Sequence, residues 1–98
     1  MKIVLNTCCG IFNLSTAARE RYIELSGQRP ENWLTIDRTD KFLVQVVEEL
    51  GQGAAGRFAE LAVVDITPGR WYRLEVSQTG VERIGYRDND ADWQIATE

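Results

Sequence analysis

The sequence predicts an α+β fold: one domain with a mainly antiparallel sheet of about four to five strands and two helices packed on one face. Three observations point there. A short β-branched run, Ile3-Val4-Leu5, opens the chain, and two segments of helical periodicity follow it. The second half then alternates apolar and polar residues between turn signals. With 98 residues, the chain has room for one core and no second module.

The elements follow in order. Ile3, Val4 and Leu5, bounded by Asn6 and Thr7, read as a central strand covered on both faces. Gly10 and Asn13 tolerate positive φ, so the next residues form a tight loop with free amide N–H groups beside a helix start, the usual setting of an anion cradle. Leu14, Ala18, Tyr22 and Leu25 recur at helical steps, and with Ser15 as N-cap and Gly27 as terminator the first helix spans about 15–26. Arg29-Pro30 breaks it, and Trp33 to Ile36 offers a brief extended segment, either an edge strand or an ordered connection. Asp37 to Asp40 has capping chemistry, with Thr39 or Asp40 as cap. Leu43, Val46, Val47 and Leu50 then form the apolar stripe of a second helix that closes at Gly51. Gln52 to Gly56 reads as a flexible linker.

From Arg57 to Ile66 the pattern becomes strand-like, and Pro68-Gly69 marks a turn. Trp71 to Val76 and Val81 to Tyr86 alternate around a turn at Gln78 to Gly80, so this half reads as an antiparallel meander. After the acidic stretch 87–92, Trp93 to Ile95 is expected to dock as a last short strand.

Composition excludes several functions. A net charge of −4 lacks the basic excess of a duplex-binding protein. No apolar run approaches the roughly 18 residues of a membrane helix, and the run after Lys2 is too short for a secretory leader, so a cytoplasmic protein is expected. Histidine is absent, which removes the usual proton shuttle and the commonest transition-metal ligand. Vicinal Cys8 and Cys9 are expected to be reduced, one toward the core and one toward the loop. Two sulfurs without further ligands do not make a zinc site. Turn capping accounts for Asp37 and Asp40, and helix solvation for Glu48 and Glu49. No enzyme activity, metal or cofactor is expected.

Two constellations remain. The first joins Thr7, Cys9, Gly10, Phe12 and Asn13 of the loop with Arg38 and Arg57, as a site for a small anionic or nucleotide-like ligand. A parallel-type crossover would gather these loops, Phe12 would stack on a base and the arginines would clamp a phosphate. The bland alternative makes Phe12 core and pairs Arg38 with Asp40 and Arg57 with Glu60. The second constellation is a protein-contact or oligomer surface of Trp71, Tyr72, Arg73, Arg83 and Tyr86, with Trp93 nearby. Its alternative is cross-strand packing inside one sheet.

The order Met1 to Asn6, Cys8, Gly10-Ile-Phe12, Leu14-Ser15, then Ile36 to Asp40, Val46 to Gly51 and Gly56 to Leu61 resembles a family of short phage and prophage proteins of uncharacterised function. In that family the loop runs Cys-aromatic-Gly-Gly-Phe-Gly before Leu-Ser. Here Cys9 replaces the aromatic residue, and Ile11 and Asn13 replace glycines. The resemblance implies a protein acting in the host cytoplasm. Its expected role is either to sequester a small ligand such as a nucleotide-derived immune signal, or to act on a host protein through the meander as a contact inhibitor or an oligomeric accessory protein, and a homo-oligomer is expected.

Overall fold

The computed structural model describes residues 1–8, 10–87 and 94–96, and its layering follows from the first strand. Strand β1 (Lys2–Asn6) feeds two cores: Val4 enters one with the helices, while Ile3 and Leu5 enter another with Ile66, Tyr72 and Ala96. A strand that is apolar on both sides needs a layer on each. On the Val4 side lie α1 (Thr16–Ser26) and α2 (Lys41–Leu50), with Ala18, Tyr22, Leu43, Val46 and Val47 turned inward.

Ser15 caps α1, accepting from the Ala18 N–H at 3.1 Å, and Gly27 ends it in the left-handed region at φ 71°. Asp40 caps α2 through the Phe42 N–H at 2.8 Å and also accepts from the Tyr22 hydroxyl at 3.0 Å, which ties the helices together. Burial, then the Asp40 carboxylate, pushes the Tyr22 phenol above its ordinary range.

β1 pairs antiparallel with β2 (Leu61–Asp65), Lys2 opposite Asp65 and Asn6 opposite Leu61. The other layer is a three-stranded antiparallel sheet of β3 (Trp71–Val76), β4 (Glu82–Arg87) and β5 (Gln94–Ile95), in the order β4-β3-β5. The α+β class is therefore as expected, but the strands divide between two sheets. The Pro68-Gly69 turn is responsible. The Ile66 N–H donates to the Met1 carbonyl at 2.7 Å and the Gly69 N–H to the Ala96 carbonyl at 2.9 Å, so the turn carries the chain from one sheet to the other and does not close a β2–β3 hairpin. The parallel-type crossover is absent too, since every strand pairing among the described residues is antiparallel.

Two local expectations need correction, and the open choice at Trp33 to Ile36 falls to an ordered connection in place of an edge strand. Trp33–Thr35 is a 3-10 turn capped by Asn32, which accepts from the Leu34 N–H at 2.9 Å. Gln52 to Gly56 is no free linker: Gly51–Ala54 forms a second 3-10 turn, Ala54 is fully buried, and Ala55 bridges Leu14. Arg57 to Glu60 forms a turn and its exit, and the strand starts only at Leu61. The last strand retains Gln94 and Ile95, while Trp93 lies outside the described residues.

Candidate functional site

The loop after β1 is closed by its own hydrogen bonds. Asn6, fully buried at the end of β1, donates through Nδ2 to the carbonyls of Cys8 and Gly10 at 3.1 Å and of Gly80 at 3.2 Å. Its Oδ1 accepts from the N–H of Glu60 at 3.1 Å and of Cys8 at 3.4 Å. One side chain thus joins the loop, the entrance to β2 and the tip of the β3–β4 hairpin.

That closure consumes the donors expected to face a ligand. The Thr7 N–H goes to the Glu60 carbonyl and the Gly10 N–H to the Thr79 carbonyl, both at 2.7 Å. Asn13 is held on both of its oxygens: Oδ1 accepts from Arg19 at 3.2 Å, and its carbonyl accepts from the Gly56 N–H at 2.9 Å. Cys9 lies outside the described residues. Gly10 and Gly80 are needed for proximity as much as for turning. A Cβ on Gly80, whose φ is 91°, would fall 1.6 Å from the Gly10 carbonyl oxygen.

Phe12 and Arg38 do come together, as each other's partners. Phe12 is buried, not presented for stacking on a base, and the Arg38 guanidinium carbon sits 3.5 Å above its ring centre. Arg38 pairs with Glu82, not with Asp40, and the same carboxylate oxygen accepts from the Asn6 N–H at 2.8 Å. Glu82 is only 6% exposed, so Arg38 and Asn6 are what make that buried charge tolerable. The Arg38 carbonyl also accepts from the Val4 N–H at 2.9 Å, which fixes its turn against β1.

Arg57 is exposed and stacks on Phe58, 5.1 Å from guanidinium to ring centre. No carboxylate among the described residues lies within salt-bridge distance of it, Glu60 included. Phe58 itself is 72% exposed and has φ 62° in a turn closed by the Ala59 N–H on the Gly56 carbonyl at 3.3 Å. That backbone region costs a residue with a side chain about 1–2 kcal/mol. An exposed ring recovers little of it through burial, so Phe58 is not there for stability.

Phe58 stands next to an apolar rim. Its Cβ lies beside Gly10, next to Ile11 in the chain. Ile11, Leu34 and Val76 surround a hollow of about 140 Å³ whose other walls are Phe12, Arg38, Gly80 and Glu82. Ile11 is 63%, Leu34 49% and Val76 59% exposed. Three separate segments therefore present apolar side chains to water over one buried ion pair.

The β3–β4 aromatic patch does not form as one surface. Opposite residues on paired strands share a face, which puts Trp71, Arg73, Arg83 and Ile95 on the outer side and Tyr72 and Tyr86 on the other. Tyr72 is buried in the inter-sheet core, and burial followed by the charge of Asp37 raises its phenol pKa. Tyr86 is exposed under Arg70 at 4.7 Å. On the outer face Arg73 and Arg83 flank Glu75 at 3.4 and 3.2 Å, a solvated charge ladder.

Sequence reading missed Asn6, Leu34, Phe58, Val76 and Glu82 as parts of one site. Only Phe58 left a local signal, as a bulky residue at the end of a glycine-bearing turn. Among the described residues no cluster of three or more cysteine, aspartate or glutamate side chains could hold a metal ion, and no helix is long and apolar enough to cross a membrane. No protein-family model, curated protein or solved structure matches the chain.

Proposed function

We propose that the chain is a non-enzymatic contact protein that engages another protein through the rim of Ile11, Leu34, Phe58 and Val76. The observation that carries this reading is Phe58, held exposed in a backbone conformation that a glycine would adopt at lower cost. Exposed apolar side chains gathered from separate segments, next to an aromatic–arginine pair, are the composition of an interface centre. The partner is a protein segment that places one apolar side chain in the 140 Å³ hollow and a carboxylate on Arg57. The resemblance to short phage and prophage proteins makes the host cytoplasm the place to seek it.

The test is affinity capture from host extract with the unmodified chain, Phe58→Ser, Ile11→Ser and Arg83→Ser side by side, read by mass spectrometry. The expected result is a prey protein lost with the two rim variants and kept with Arg83→Ser. Equal capture by all four removes the rim from the function. A self-associated chain without prey, seen by sedimentation and abolished by Phe58→Ser, replaces the host partner with a second copy.

A further inference from the structure

Arg38 borders a second concavity on its other side. That cavity, of about 340 Å³, is lined by Ile3, Asp37, Arg38, Thr39, Tyr72, Arg73 and Leu74. Its volume lies at the small end of the range of about 300–1,000 Å³ usual for ligand sites, and its lining divides between an apolar side and a charged one. It shares no residue with the 7–13 segment, and Arg38 is the one residue it has in common with the hollow beneath the contact rim.

We infer that this cavity binds a small organic monocarboxylate with an apolar body. The guanidinium of Arg38 is fixed before any ligand arrives, held over the Phe12 ring and anchored by Glu82. A planar fork already oriented in this way loses little freedom on taking a carboxylate. Asp37 is the one carboxylate in the lining, and its Oδ1 is already occupied by the Thr39 N–H at 2.9 Å and hydroxyl at 2.7 Å. Ile3, Tyr72 and Leu74 supply the apolar wall for the rest of the molecule. Charge limits the valence: Arg38 and Arg73 stand against Glu82 and Asp37, so the surroundings are balanced and one added negative charge is accommodated more easily than two. The class is thus an aromatic or branched aliphatic acid, in preference to a phosphate ester.

The experiment is a ¹H–¹⁵N titration of the full chain with benzoate, benzyl alcohol, acetate and inorganic phosphate. Benzoate is expected to shift the amides of Ile3, Thr39 and Leu74 with millimolar or better affinity, at least about tenfold tighter than acetate, phosphate or the neutral alcohol. Because Arg38→Gln strands Glu82 and endangers the fold, the decisive variant is Leu74→Trp, which fills the cavity and leaves the ion pair intact. It is expected to retain the spectrum of a folded chain and lose benzoate binding. Absence of benzoate shifts at these amides, equal binding of the alcohol or of phosphate, or unchanged affinity in folded Leu74→Trp would each overturn the inference.

Discussion

Replacing Asn6 with alanine tests the joint on which the loop, β2 and the hairpin tip depend. Asn6 is fully buried and its amide serves three carbonyls and two N–H groups. A buried donor or acceptor left without a partner costs about 1–3 kcal/mol, so counting only the Glu60 N–H and the Gly80 carbonyl gives a loss of roughly 2–6 kcal/mol. Against a total stability of about 5–15 kcal/mol, that is a large fraction. With a urea m value of about 1–2 kcal/mol/M, a mid-range loss moves the unfolding midpoint down by roughly 2–4 M. Asn6→Asp should be worse at neutral pH. It keeps the shape and the acceptor, but turns the donor into an oxygen that faces three carbonyls near the Glu82 carboxylate. Those neighbours raise the carboxyl pKa in the folded state, so the variant's deficit relative to Asn6→Ala shrinks as pH falls toward the ordinary aspartate value of about 4 and grows again on return to neutrality. A midpoint shift below about 0.5 M for Asn6→Ala would refute the joint.

Three further outcomes are expected. Phe58→Gly should leave stability unchanged or raise it by about 0.5–1 kcal/mol in urea unfolding, because the strain at φ 62° disappears; a loss above about 1 kcal/mol would mean that the ring packs on something. Gly80→Ala should cost more than about 3 kcal/mol, since its Cβ would overlap the Gly10 carbonyl and its φ of 91° disfavours a side chain; a near-native melting temperature would refute that contact. Tyr22 and Tyr72 have raised folded-state pKa values, so the folded chain holds their protons longer than the unfolded one and stability falls as pH rises above about 10. Tyr72→Phe should flatten that alkaline limb in a pH series of melts, and an unchanged slope would count against it.

The α+β class and both helices were legible because their signals are local. Ser15, Asp40 and Gly27 sit where caps and stops belong, and the 3.6-residue stripe of α2 needs no distant partner to be read. Burial of β1 on both faces was equally legible in Ile3-Val4-Leu5, but which layer covers which face was not. That depends on Ile66 and Gly69 bonding to opposite ends of the chain, a pairing no window of neighbouring residues contains. The site shows the same limit. Arg38 and Phe12 could be chosen from residue type, whereas the partner of Arg38 lies 44 residues away, in a hairpin read as a separate surface.

The two outcomes at the loop have one cause. Glycine at position 10 reads in the sequence as freedom to expose backbone donors, but a residue without a side chain also lets another backbone approach, as Gly80 does, and the approach wins here because it satisfies those donors internally. Once the Gly10 N–H has gone to Thr79 and the Gly10 carbonyl to Asn6, the loop has no polar backbone group left at those points to offer a ligand. What remains outward is side chain, and next to Gly10 that side chain is Ile11. The hairpin drawn in by the same contacts brings Val76 to the hollow that Ile11 and Leu34 border. Closing the cradle therefore builds the rim, so a variant that reopens it should weaken partner capture even with every rim residue intact. Asn6→Ser, which shortens the joint and puts a single hydroxyl in place of the amide, is that variant, and its capture yield should fall alongside its urea midpoint.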